Sequence, residues 1–294
     1  MKRTFLGLAA SVLLIIGCTA ALGQTPDPDM FRADSVPPAR GEQIALREVP
    51  TGGEVWNRVF GQVWVRNVER SSLYVVRPMN GRGNGKSVIV VPGGGYLFVS
   101  IDSEGFRVAD RLAAAGYTAF VLKYRVNPTR PKPDDFMADI AAKFGSLGKG
   151  ELPDLPAAVD DLAAAVSLVS AQAAEWKLDP RALGVIGFSA GSRSLIRLLE
   201  QRKEAALLDH AALIYPPMTQ KVTGGPRPPL FAAIAANDPL FRQGGLKLVD
   251  SWLKESQAVE FHLYSGGDHG FGMMAKGATS DHWIDHYLDW LALQ

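Results

Sequence analysis

Short runs of β-branched and aromatic residues alternate with longer Ala- and Leu-rich stretches along most of the chain. Val63 to Val68, Leu73 to Arg77 and Ser87 to Val91 read as successive strands, the last two joined through Gly81-Arg82-Gly83-Asn84-Gly85. From Glu104 to Ala115 the spacing turns helical, with Val108, Leu112 and Ala115 on one face and Gly116 as the stop. Ala119 to Tyr124 is a further strand. Val159 to Trp176 is a long helix ended by Asp179-Pro180. Leu183 to Phe188 predicts a buried strand and Ala190 to Arg202 a helix; Ala211 to Tyr215 and Leu230 to Ala235 are strands. Gly245 to Glu255 is a helix, Val259 to Tyr264 the last strand and Asp281 to Leu291 the closing helix. Strands alternating with helices of this length predict an α/β fold, a mostly parallel sheet covered by helices on both faces. Residues 131 to 156 break the rhythm. They are rich in Pro and Gly and weakly periodic, which predicts a lid, a binding loop or a disordered insertion.

The N-terminus changes the picture of the compartment. Lys2 and Arg3 precede an apolar run from Phe5 to Ile16 that is short for a membrane span, so residues 1 to 23 read as an export signal. Ala21-Leu22-Gly23 offers a cleavage site before Gln24, predicting a periplasmic or secreted protein. Ile15-Ile16-Gly17-Cys18 offers the alternative of lipidation at Cys18 and a membrane tether. Residues 24 to 40 carry four prolines and predict an extended tether, leaving 41 to 294 as one domain. Cys18 is the single cysteine of the 294 residues, which excludes a disulfide framework and a thiolate zinc site. With 31 basic and 30 acidic side chains, the chain has no electrostatic footprint for nucleic acid.

Candidate chemistry centres on Gly187-Phe188-Ser189-Ala190-Gly191. A G-x-S-x-G segment between a buried strand and a helix is the setting of a nucleophile elbow, where a sharp turn lifts the serine above the sheet edge. A serine needs a base. His210 and His262 fall at or in strands and read as packing or surface residues. His282 and His286 stand four apart on the closing helix without further ligands nearby, so no metal is expected. His269, in the glycine-rich loop after the last strand, is the candidate base. Asp238, just after the preceding strand, is the candidate acid that orients it. Asp268 adjoins the base in sequence and Asp250 lies within a helix, so both are less suited. The order Ser189, Asp238, His269 is the chain order of α/β-hydrolases. Val91-Pro92-Gly93-Gly94-Gly95-Tyr96 follows a strand, and three glycines admit an oxyanion to backbone N–H groups. Gly94, Gly95 and Ala190 are the candidate oxyanion donors. Tyr96 is a candidate substrate contact or a packing residue.

Three segments carry a resemblance to a known family: PGGGY with SEGFRVADRLAAAGY and AFVLKYRV; EWKLDP with GVIGFSAG; and NDPL with DHGFG. Across roughly residues 60 to 290 the chain resembles bacterial esterases of the BD-FAE-type and acetyl xylan esterase-like α/β-hydrolases. The resemblance implies a serine esterase with no cofactor, acting on short acyl esters, often acetyl groups of plant polysaccharides. Small-molecule or oligosaccharide esters are the expected substrates. A general carboxylesterase without a carbohydrate role, a serine peptidase and a non-catalytic binding module are the alternatives. The chain departs from the family at Ser192 and Arg193, where a glycine and commonly a histidine are usual. Arg193 is expected either at the pocket floor or in a salt bridge on the helix.

Overall fold

The computed structural model describes residues 31–33, 41–47, 53–59, 61–147, 152–256 and 258–294. The export segment and Cys18 lie outside the described residues, as does most of the tether. Among the described residues no helix is long and apolar enough to cross a membrane.

The strands in chain order are β1 (Phe31–Ala33), β2 (Glu42–Ala45), β3 (Val55–Val59), β4 (Gln62–Arg66), β5 (Ser72–Val76), β6 (Ser87–Val91), β7 (Phe98–Val99), β8 (Thr118–Lys123), β9 (Leu183–Phe188), β10 (His210–Ile214), β11 (Leu230–Ala235) and β12 (Val259–Tyr264). The helices are α1 (Arg107–Ala114), α2 (Pro133–Leu147), α3 (Pro156–Gln172), α4 (Ala190–Gln201), α5 (Lys247–Leu253) and α6 (Trp283–Leu291). Eight strands form the main sheet in the order β12-β11-β10-β9-β6-β8-β5-β2. From β8 to β12 every pairing is parallel, while β5 and β2 add antiparallel at one edge. Every residue of β6, β8, β9, β10 and β11 is buried, as expected for strands covered on both faces. The fold is the α/β-hydrolase architecture.

Chain direction decides where a site can form. The crossover from β6 through α1 to β8 moves one way across the sheet, and that from β8 through α3 to β9 moves back past β6. Right-handed crossovers of opposite travel put α1 and α3 on opposite faces. Accordingly α1 contacts α6, and α3 contacts α4. The reversal leaves a crevice beyond the C-terminal ends of β6 and β9, where open α/β sheets bind ligands.

A second, antiparallel sheet in the order β1-β3-β4-β7 lies outside this framework. It corrects one expectation. Phe31–Ala33, inside the expected tether, pairs with β3 through Phe31 opposite Val59 and Ala33 opposite Asn57. Within the expected lid or loop insertion, residues 133 to 147 form the helix α2. Pro133 starts it, a position that tolerates proline because the first N–H groups of a helix have no internal partner. Phe136, Ile140 and Phe144 recur every four residues as its buried stripe.

Arg66 of β4 fastens this helix to the second sheet. Its guanidinium is buried and donates to Asn57 Oδ1, Thr129 Oγ1 and the carbonyls of Arg130 and Pro131. The Phe136 ring centroid lies 4.7 Å from its central carbon. Arg66→Ala should strand several buried acceptors and cost about 3 kcal/mol of unfolding free energy in urea titration. A loss below about 0.5 kcal/mol would show that Arg66 is no clamp.

Candidate active site

At the end of β9 the backbone turns through Ser189 with φ +50° and ψ −109°. A non-glycine residue in such a conformation carries on the order of 1–3 kcal/mol of strain and persists only where its surroundings over-determine it. Several contacts do so here. The Ser189 N–H donates to the Ile214 carbonyl at 3.0 Å, and its carbonyl accepts the Arg193 N–H at 3.0 Å. The Ser192 hydroxyl donates to Gly187 O at 2.7 Å, closing the turn from inside. A Cβ at Gly191 would stand 2.0 Å from the Val91 carbonyl oxygen, so only glycine lets α4 begin hard against β6. Ser189 therefore sits at the N-terminus of α4, where the helix dipole favours negative charge.

β11 and β12 deliver the other two groups to the same edge. Asp238 is fully buried in the turn after β11. Its Oδ1 accepts the N–H groups of Leu240 at 2.8 Å and Phe241 at 3.0 Å. Its Oδ2 lies 2.8 Å from His269 Nδ1. With that carboxylate oxygen as acceptor, Nδ1 carries the proton and leaves Nε2 as an acceptor, 2.9 Å from Ser189 Oγ. His269 is held between rings, with its centroid 4.8 Å from Tyr215 and 5.1 Å from Phe241. The two loops are also stitched together outside the site. Asn237 donates to Asp268 Oδ1 at 2.6 Å, and the Asp268 N–H donates back to Asn237 Oδ1 at 3.0 Å. Asp268 is thus committed to Asn237 and Asp250 is exposed on α5, so neither faces the imidazole.

The glycine segment after β6 closes over Ser189. Gly94 has φ +130°, and a Cβ on it would lie 2.0 Å from the Phe98 carbonyl oxygen. The Gly94 carbonyl accepts the N–H groups of Leu97 and Phe98. Gly94 lines a narrow cleft of about 50 Å³ together with Ser189, His269, Glu104, Trp64 and Phe144. Gly95 packs behind it, where an added Cβ would meet the Phe144 ring at 3.4 Å, and Ala190 heads α4.

With this geometry in place, the dienelactone hydrolase family profile matches residues 73–292. The chain belongs to the dienelactone hydrolase family. A curated acetylxylan esterase from Xylanibacter ruminicola is 23% identical over an alignment 243 residues long that covers 71% of this chain and 45% of that protein. The chain thus spans less than half the length of that relative. Among solved structures, an α/β-hydrolase enzyme from a Medee basin deep-sea metagenome library is 24% identical, with a TM-score of 0.60 over 86% of this chain and 96% of its own. An acetyl ester-xyloside bifunctional hydrolase from Caldicellulosiruptor lactoaceticus aligns over the same shares at 20% identity and a TM-score of 0.59.

Other candidate residues of this dienelactone hydrolase family member fall outside the cleft. Tyr96 takes the packing option of the two it was given. It is buried, its hydroxyl is 3.0 Å from Ser194 Oγ, and its ring meets Tyr124 edge-on. Arg193 takes the salt-bridge option, with Nε 2.7 Å from Asp154, which also pairs with Arg197. His210 packs against Tyr287 and Trp290. His262 stacks on His286, and among the described residues no group of three or more His, Cys, Asp or Glu could hold a metal.

Sequence reasoning missed the walls of the cleft: Gln62 and Trp64 from β4, Phe98 from β7, Phe144 from α2 and Glu104. Glu104 had a legible signal, since it stands four and eight residues before Val108 and Leu112 on one apolar stripe. Its carboxyl is buried, and burial pushes its pKa above the usual carboxylate range against donors from Tyr215 and Gly93. The walls from β4 had none, because nothing in a short strand names the surface it will meet. An active-site-directed fluorophosphonate should label this chain once, at Ser189, by peptide mass mapping. Labelling should vanish in Ser189→Ala and fall sharply in His269→Ala; equal labelling of His269→Ala would uncouple the pair.

Proposed function

We propose that the chain is a serine carboxylic ester hydrolase for short acyl esters, deacetylating plant polysaccharide. The observation that carries this reading is the unbroken run of hydrogen bonds from Ser189 through His269 to Asp238 at the floor of a narrow cleft. His269 Nε2 takes the Ser189 proton as Oγ attacks the ester carbonyl. The oxyanion forms beside the N-terminus of α4 and the glycine loop, with the N–H groups of Gly94, Gly95 and Ala190 as its donors. The imidazolium, held by Asp238, then protonates the leaving alcohol. Water repeats the sequence on the acyl-enzyme with the same base.

The cleft supports a short acyl group. A water needs on the order of 10–15 Å³ of such space, so about 50 Å³ suits a group of a few heavy atoms, such as acetyl. Trp64 and Phe98 stack at 4.1 Å and Phe144 sets a further wall, so a longer chain meets rigid rings. An open groove of about 620 Å³ along α2 supports a carbohydrate as the alcohol. Thr129, Arg130, Asp139 and Lys143 line it, and it shares that helix with Phe144. The Xylanibacter relative is an acetylxylan esterase and the Caldicellulosiruptor protein an acetyl ester-xyloside bifunctional hydrolase, which supports an acetyl ester as substrate.

Acetate release from acetylated xylo-oligosaccharides, with Ser189→Ala as blank, tests the reading directly. Asp238→Asn should lower kcat by about 10⁴-fold. Aryl acetate should be preferred over aryl butyrate by about 10- to 100-fold in kcat/KM, the cost of overfilling a packed site. Phe144→Ala should narrow that ratio, and an unchanged ratio would move the acyl group out of this cleft. Hydrolysis of aryl acetate without release from the oligosaccharide would keep the ester chemistry and remove the polysaccharide.

A further inference from the structure

Glu104 is a buried carboxyl beside Ser189 and His269 to which the acyl-transfer steps above give no role. It stands in a single π-helical turn, Asp102–Phe106, just before α1. Its Oε2 accepts the Gly93 N–H at 2.6 Å, and its Oε1 accepts the Tyr215 hydroxyl at 2.6 Å. Both oxygens are therefore spent on fixed partners from two different strand ends.

The peptide planes of the glycine loop show what this achieves. A trans peptide points its C=O and N–H in opposite directions, so holding one end aims the other. In the Pro92–Gly93 peptide the carbonyl accepts the Tyr124 hydroxyl at 2.7 Å, and the N–H is held by Glu104. In the Gly93–Gly94 peptide the carbonyl accepts the Ser100 N–H at 3.0 Å, which aims the Gly94 N–H the other way. In the Gly94–Gly95 peptide the carbonyl accepts Leu97 and Phe98, which aims the Gly95 N–H. Glycines impose no preference of their own, so these partners fix the loop. Glu104 is the member of the set that also reaches the base. Tyr215, on its other oxygen, packs its ring at 4.8 Å from His269 and 4.7 Å from Phe271. The Glu104 turn is tied to the histidine loop a second time, by the Met273 N–H donating to Ser103 O at 3.0 Å.

We propose that Glu104 is a positioning residue that sets the orientation of the oxyanion loop and locks that loop to the one carrying His269. Its effect on rate rests on the ester-hydrolase reading; its hold on the loop does not. Two readouts separate them: kcat and KM for an aryl acetate, and amide hydrogen exchange of the peptide covering residues 92–98. Glu104→Ala should lower kcat by about 100- to 1000-fold, the usual effect of losing an oxyanion donor, with KM within about threefold, and should speed exchange of the loop. Glu104→Gln, whose amide oxygen can still accept the Gly93 N–H, should restore slow exchange and most of kcat. Tyr215→Phe, which keeps the ring against His269, should lower kcat by about tenfold at unchanged KM and covers the case where Glu104→Ala does not fold. Unchanged kcat and exchange in Glu104→Ala would overturn the proposal, as would unchanged kcat in Tyr215→Phe. A Glu104→Gln defect as deep as that of Glu104→Ala would overturn it in favour of a role for the acid itself. If the wild-type chain hydrolyses no acyl ester but loop exchange responds as stated, the ester reading fails and the hold of Glu104 on the loop stands.

Discussion

A serine held at positive φ between a buried strand and a buried helix is the constraint on which the rest of this structure depends. The conformation is unfavourable for any residue with a Cβ, and no single hydrogen bond offsets it. It survives because β9 cannot shift between β6 and β10, and because α4 cannot move away from β6 while Gly191 lies against the Val91 carbonyl. The sheet thus holds the turn, and the turn places Ser189 Oγ. Asp238 and His269 need less strain because their loops only have to meet it. Asp238 is oriented by two N–H groups of its own turn, and Trp283 of α6 donates to the Gly272 carbonyl at the end of the histidine loop.

Much of the parallel framework was legible in the chain because its strands are buried on both faces. Leu183–Phe188 and Leu230–Ala235 form strands over the residues that the apolar runs mark, and Val259–Tyr264, an edge strand with only Tyr264 buried, is marked by its alternating apolar and polar positions instead. The candidate triad was legible for the same reason, since strand order brings three short loops to one edge. The second sheet was harder to read. Phe31–Ala33 is too short to show periodicity, and Val55–Val59 interrupts its apolar positions with Asn57 and Arg58. The strand around Val63 was visible, but alternation cannot say which sheet a strand joins. α2 was obscured by the prolines and glycines around it, although its aromatic stripe keeps helical spacing.

Tyr96 and Glu104 show the same difficulty inside the site. One stands beside the glycine loop in sequence and turns into the interior; the other lies within a predicted helix and reaches the cleft wall. Proximity in sequence left Tyr96 open between contact and packing and passed over Glu104. What separates them is the backbone: Tyr96 sits at φ +63°, which carries its ring toward Tyr124 and Ser194. A helical stripe headed by a carboxylate is a better pointer than adjacency, because an acid seldom enters a core without partners.

The bonds of Arg66 mark a division of the molecule into two layers. The candidate reacting groups come from the ends of β9, β11 and β12, whereas the aromatic walls come from β4, β7 and α2, which have their own packing and their own clamp. Substitutions in those walls leave the strained serine turn untouched. What enters the cleft can therefore be changed by editing a peripheral layer, while the strand ends beneath keep their geometry.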